Sequence, residues 1–206
     1  MTEQQPDRRA DDAVHALLGE AKALAAHDPG AALALLEKSP APGHGLYHHA
    51  FGALCMRVGR IHDAIAAFEQ AVKILPEVAD LKANLGSALL ARARPMKAGD
   101  PPLLTDVERA CAVLQEAVAG RPLFAEAGAT LVLALELLGR ADEAVIVADN
   151  NLARFPDDPG TLINKASALK ALGRRNDARS SLQRMLARHP DHPAAGAAQV
   201  ALGRLD

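Results

Sequence analysis

The chain has 206 residues, 50% of them hydrophobic, and 23 Lys and Arg against 25 Asp and Glu leave a formal charge of −2. That apolar content can bury a core, which excludes a disordered tail, and the near-balance of charge gives no field to gather DNA, RNA or an anionic membrane. One Tyr, four Phe and no Trp are too few rings for a β-sandwich, a β-barrel or a platform that stacks single-stranded bases, whereas abundant Ala and Leu favour packed helices.

At the N-terminus, MTEQQPDRRADDA lacks the apolar stretch of a signal peptide, and no later run approaches the length of a bilayer span. The expectation is a soluble cytoplasmic protein with no membrane insertion, its residues 1–10 disordered. From 11 to 40 the pattern reads as a degenerate hairpin broken at Asp28-Pro29-Gly30, placed to cap the later helices. In the next stretch His44 and His48 stand four apart, a spacing that can set two imidazoles on one helix face as metal ligands. Pro42, Gly43 and Gly45 argue instead for a helix that starts after His44 and for surface histidines, so neither metal nor cofactor is expected. His189 and His192, in HPDHP, fit a loop between hairpins.

Self-similarity then dominates. GRIHDAIAAFEQAVKILP (59–76) returns as GRADEAVIVADNNLARFP (139–156) and GRRNDARSSLQRMLARHP (173–190). Gly139 and Gly173 stand 34 apart, and the same interval joins Gly52 to Gly86, Ala110 to Ala144 to Ala178, and Pro122 to Pro156 to Pro190. Ala64 and Ala110 are 46 apart, which places a 12-residue insertion near 93–105. The units are then 45–78, 79–124, 125–158 and 159–192, followed by a capping helix within 193–206. Small residues at Gly52, Ala64, Ala144 and Ala178 let the two helices of a hairpin approach, and Phe68, Leu114 and Leu182 fill the space between hairpins. Each Gly-Arg pair supplies a glycine to end the first helix, and each closing Pro stops the second.

Around the insertion, Arg92, Arg94 and Lys97 gather. They could meet an acidic partner or a phosphate backbone, but a solvated helix end favoured by the dipole accounts for them more simply. Thr105 and Glu108 have the spacing of a capping box that would open the next helix, after a projecting loop at 99–102. Cys55 and Cys111, each alone in an apolar helical context, suit buried reduced thiols better than a disulfide or a zinc site.

This 34-residue unit resembles the tetratricopeptide repeat over about residues 45–190. Phe51-Gly52, Cys55, Gly59, Ala64, Phe68, Ala71 and Pro76 fall at that family's landmark positions, and the later units repeat them. The departures are His48, Lys82, Gly128 and Leu162 where Trp is frequent, and Asn151 and Lys165 where apolar residues are usual. The resemblance implies an all-α fold, a right-handed α-solenoid of stacked antiparallel helix hairpins with a concave groove lined by the first helix of each unit. Carried over by position, the groove residues are His49, Ala53, Arg57, Asn84, Ser87, Thr130, Leu133, Asn164, Ser167 and Lys170, in company with Leu46, Ala83, Leu90, Ala129 and Ile163. Asn84 and Asn164 match a frequent groove asparagine, whose amide both donates and accepts. Of the five polar residues with which some members clamp a chaperone C-terminus, only Asn84 has a counterpart here, so that function is set aside.

No phosphate loop, dinucleotide fingerprint, nucleophile elbow or H-E-x-x-H motif occurs. The expected function is therefore that of a non-catalytic protein–protein interaction adaptor, binding a protein or peptide segment in the concave groove and no nucleic acid. An accessory subunit of an enzyme or assembly complex is one alternative. A self-associating homo-oligomer, stacked through Ala194, Ala195, Ala197 and Ala198, is another.

Overall fold

The computed structural model describes residues 8–94, 103–121 and 125–205; Lys97, the expected loop at 99–102, Pro122 and most of the N-terminal segment 1–10 lie outside the described residues. Among the described residues there are eleven helices and no strand. They are α1 (Arg8–Ala25), α2 (Pro29–Lys38), α3 (Gly45–Arg57), α4 (Ile61–Ile74), α5 (Ala79–Ala93), α6 (Leu104–Gly120), α7 (Ala125–Leu137), α8 (Ala141–Arg154), α9 (Pro159–Ala171), α10 (Arg175–Arg188) and α11 (Ala195–Gly203). They fall into two compact units, Met1–Ala88 and Leu89–Asp206. The architecture is an all-α repeat of helix hairpins.

Three hairpins turn by the same device. Gly59, Gly139 and Gly173 have φ of +79°, +72° and +73°, a left-handed conformation that carries no steric penalty for glycine. The following residue's N–H then reaches back along the first helix: Arg60 to the Cys55 carbonyl at 2.8 Å, Arg140 to Leu135 at 2.9 Å and Arg174 to Leu169 at 2.9 Å. Each glycine N–H bonds the carbonyl three residues before it, so two otherwise orphaned carbonyls are satisfied and the chain reverses within three residues. Each turn arginine is also the N-cap residue of the next helix and pairs with an acid three residues on: Arg60 with Asp63, Arg140 with Glu143 and Arg174 with Asp177.

In the first unit, α1 packs on α2, α2 on α3 and α3 on α4. Pro29 follows the N-cap Asp28, whose carboxylate accepts the Ala31 N–H at 2.9 Å, so the break at Asp28-Pro29 is where α2 starts. A methyl on Gly52 would lie 2.8 Å from the Phe68 ring, which is the close approach expected of that pair. Tyr47 hydroxyl donates to the Leu36 carbonyl at 3.0 Å and ties α3 to α2.

In the second unit, α6 packs on α7, α7 on α8 and α9, α9 on α8 and α10, and α10 on α11. Ala110, Leu114, Ala144, Ala148, Ala178 and Met185 are all fully or almost fully buried. Two sequence readings are corrected here. The capping box at Thr105 does not form: α6 starts at Leu104, Leu103 is its N-cap, and no side chain caps it. Arg92 is not a solvated helix end either. Its guanidinium makes a two-pronged ion pair with Asp106, at 2.6 and 2.7 Å, and the Asp106 carboxylate is buried. With the Leu103 N–H on the Ala93 carbonyl at 3.1 Å, this pair closes the insertion and leaves Thr105 exposed inside the helix.

The departures in the third repeat compensate one another. Asn151 and Thr161 are buried; the Asn151 amide donates to Thr161 Oγ1 at 2.6 Å and to the Ala125 carbonyl at 3.1 Å. Thr161 in turn donates to Asp158, the N-cap of α9, at 2.6 Å. A methyl on Gly128 would overlap the Asn151 side chain, so the glycine in the usual Trp position is what admits the asparagine, and together they join α7, α8 and α9. Lys165 reaches Asp149 at 2.5 Å. Asn151→Ala, which strands buried partners, is expected to cost about 1–3 kcal/mol in urea unfolding. Gly128→Ala should also destabilise, despite a helix-propensity gain of about 1 kcal/mol, and the double variant should be more stable than the two losses summed; strict additivity would refute the steric coupling. Asp106→Ala, which removes this two-pronged carboxylate from Arg92, should cost about 1–3 kcal/mol by the same measurement.

Candidate functional site

In the first unit α3 and α1 enclose a cleft of about 330 Å³ lined by Leu18, Ala21, Lys22, Ala25, Leu46, His49, Ala50, Ala53, Leu54 and Arg57. Three expected groove residues, His49, Ala53 and Arg57, therefore meet in one concavity. Asn84 joins them from α5: its amide nitrogen donates to His49 Nε2 at 2.8 Å, which leaves the ring proton on Nδ1. Ser87 is half-buried on the same helix.

In the second unit the Asn164 amide makes the equivalent bridge, donating to the Ala129 carbonyl at 2.8 Å. Ser167 Oγ donates to Glu136 Oε1 at 2.9 Å. Ser167 and Lys170 line a second cleft, of about 280 Å³, with Ile163, Ala166, Leu182 and residues of α11 including Ala197, Ala198 and Ala201. Thr130 directs its hydroxyl to the Glu126 carbonyl of its own helix at 2.7 Å, and Leu133 is half-buried. Ala83, Leu90 and Ala129, expected to face the groove, are buried instead. Each asparagine has one donor engaged internally and keeps a second N–H and a carbonyl oxygen.

Sequence reasoning missed the walls of both clefts. Leu18 and Lys22 on α1, and Ala201 on α11, belong to elements that repeat landmarks do not reach, and Ala197 is expected from the sequence only as a stacking contact; Leu18 and Lys22 stand four apart, hence on one helix face.

The two histidines at metal spacing have separate partners. His44 is the N-cap residue of α3 and meets the His15 ring edge-on, 5.6 Å between centroids; His48 donates to the Pro42 carbonyl at 2.9 Å. Because His44 precedes the helix, the helix-face geometry does not apply to it. Among the described residues no group of three or more His, Cys, Asp or Glu is placed to hold a metal ion. His189 donates to the Asp157 carbonyl and so ties the end of α10 to the start of the α9 hairpin. Cys55 and Cys111 are free and buried. Burial pushes the Cys55 thiol up to about 11 and raises Cys111 as well, which suppresses the nucleophilic thiolate. No described helix is long and apolar enough to cross a membrane.

Hairpins that pack through small residues and reverse at glycine turns define a helical repeat protein. The tetratricopeptide repeat family model matches residues 161–192, most of α9 and α10, so that hairpin is a tetratricopeptide repeat, and the fold of the chain is similar to that of solved proteins built from such repeats. Among solved structures it is similar to YrrB, a tetratricopeptide repeat protein with an unusual peptide-binding site, at 22% identity over 89% of this chain and 90% of that one, with a TM-score of 0.66. A tetratricopeptide repeat protein of Thermus thermophilus is similar at 21% identity over 93% and 97%, with a TM-score of 0.68. MamA is similar at 19% identity over 85% and 91%, also with a TM-score of 0.68. No curated protein matches the chain in sequence.

Burial lowers the His49 pKa from its usual value, against the opposing pull of Asp80, so the ring that accepts from Asn84 is neutral near pH 7. In the unfolded chain the same imidazole titrates at about 6.5. Below that pH the unfolded state binds the proton first, and the folded state loses stability as the solution is acidified. The melting temperature should therefore fall between about pH 7.5 and about pH 5.5 by less in His49→Gln, which keeps an acceptor for Asn84, than in the native chain. Equal falls would remove His49 as the cause.

Proposed function

We propose that the chain is a non-catalytic adaptor that holds segments of another protein on the exposed faces of neighbouring first helices, α3 with α5 and α7 with α9. The observation that carries this reading is the bridging of neighbouring first helices by polar side chains, Asn84 on His49 and Asn164 on Ala129. It fixes the surface beside two clefts of mixed character while leaving acceptors and donors free for a backbone. The likeness to YrrB, whose peptide-binding site is its own, supports the same use of the fold.

Replacing Ser87 and Ser167 together by Arg would crowd the groove, whereas Glu108→Arg changes an exposed residue of the second helix α6. Affinity capture from the native lysate, quantified by mass spectrometry, should lose its main partners with the serine pair and keep them with Glu108→Arg. Identical captured sets would contradict a binding role for these helices.

A further inference from the structure

Resting on the groove reading, we propose that the cleft between α1 and α3 seats an acidic amphipathic segment of a partner protein. Its apolar side chains would rest on Leu18, Ala21, Leu46 and Ala53, and its carboxylates would meet Lys22 and Arg57. The charge of the cleft selects this partner. Lys22 and Arg57 are both exposed, and neither makes an ion pair among the described residues, whereas Arg60, Arg92, Arg140 and Arg174 are each held by a carboxylate. None of the residues that line the cleft is acidic. Asp80, whose field reaches His49, is not among them and has a partner of its own.

The floor explains why the segment must also be apolar. Leu46 is 40% exposed, and the cleft, at about 330 Å³, is at the small end of ligand sites, with room for a few side chains and not for a domain. Covering it removes water from around the two cations and strengthens their pairing with incoming carboxylates. Charge also separates this site from the 280 Å³ cleft of the second unit, where Ser167 already bonds Glu136 and so brings a carboxylate to the helix face that carries Lys170.

The test uses the full chain, immobilised and panned with a library of short random peptides. Selected peptides are then resynthesised with a fluorophore and titrated by anisotropy against the native chain, Lys22→Glu/Arg57→Glu and Lys170→Glu. The selected sequences should combine Leu, Ile or Phe with Asp or Glu, bind Lys22→Glu/Arg57→Glu at least about ten-fold more weakly, and lose far less affinity on Lys170→Glu than on that pair. Affinity should also drop several-fold as salt rises from about 50 mM to about 500 mM. Circular dichroism melts of the charge-reversed chain, whose changes lie at exposed positions, separate a lost site from a lost fold. Peptides that lack acidic residues, or that bind the reversed chain equally well, overturn the inference; if they are instead lost on Lys170→Glu, the groove reading stands without it. A library that yields no binder overturns both.

Discussion

A glycine that can enter the left-handed region without penalty is the constraint on which the hairpins depend. At Gly59, Gly139 and Gly173 it lets the chain reverse within three residues, and so brief a reversal sets the two helices antiparallel and in contact from the turn onward. Contact that close is tolerable only where one partner is small. Gly52 under Phe68, and the fully buried Ala64, Ala144 and Ala178, are therefore consequences of the turn as much as of helix packing. The arginine that follows each glycine works on both sides of it. Its backbone closes the reversal and its side chain pairs three residues into the next helix; in Arg60 it also reaches Glu37 near the end of α2. These pairs are exposed and serve position more than stability.

Among the described residues the α5–α6 hairpin shows no such glycine turn, and the contacts at its two ends show what the turn supplies elsewhere. Twelve extra residues stand there. The reversal is held from its two ends, by the backbone bond from Leu103 to Ala93 and by the ion pair of Arg92 with the buried Asp106. A buried pair is costly to desolvate, and two-pronged geometry offsets that cost while fixing one register. Its specificity does for a long connection what steric restriction does for a short one.

The period of the sequence makes the packing legible. Spacing, together with the resemblance to the tetratricopeptide repeat, puts Ala64, Phe68, Ala71, Ala110, Leu114, Ala117, Ala144 and Ala178 at repeat landmarks, and all are buried. What spacing cannot show is whether two departures from a pattern belong together. Gly128 and Asn151 read as separate irregularities, 23 positions apart in the sequence, and only the fold brings the missing side chain of one against the amide of the other. The capping box fails for a related reason. A local hydrogen-bond motif of modest strength is outcompeted by the ion pair at Asp106, which starts α6 earlier. Of the candidate site, the face of α3 is legible because repeat positions carry it; the α1 wall is not, since the cap hairpin lacks the landmarks that would orient Leu18 and Lys22.

These differences in origin bear on how such a surface would bind. Side chains that bridge neighbouring helices, Asn84 to His49 and Asn164 to Ala129, have already lost their rotamer freedom, so a ligand that uses their remaining acceptors incurs little further ordering entropy. Lys22, Arg57 and Lys170 are long and make no ion pair among the described residues, and each must be ordered on contact at about 0.5–1.5 kcal/mol. Their contribution would then fall on encounter and on discrimination between partners, while the apolar floor and the fixed amides would hold what has docked. A chain of near-zero net charge would in this way be selective by charge, because the selection would reside in a few cations that make no ion pair among the described residues.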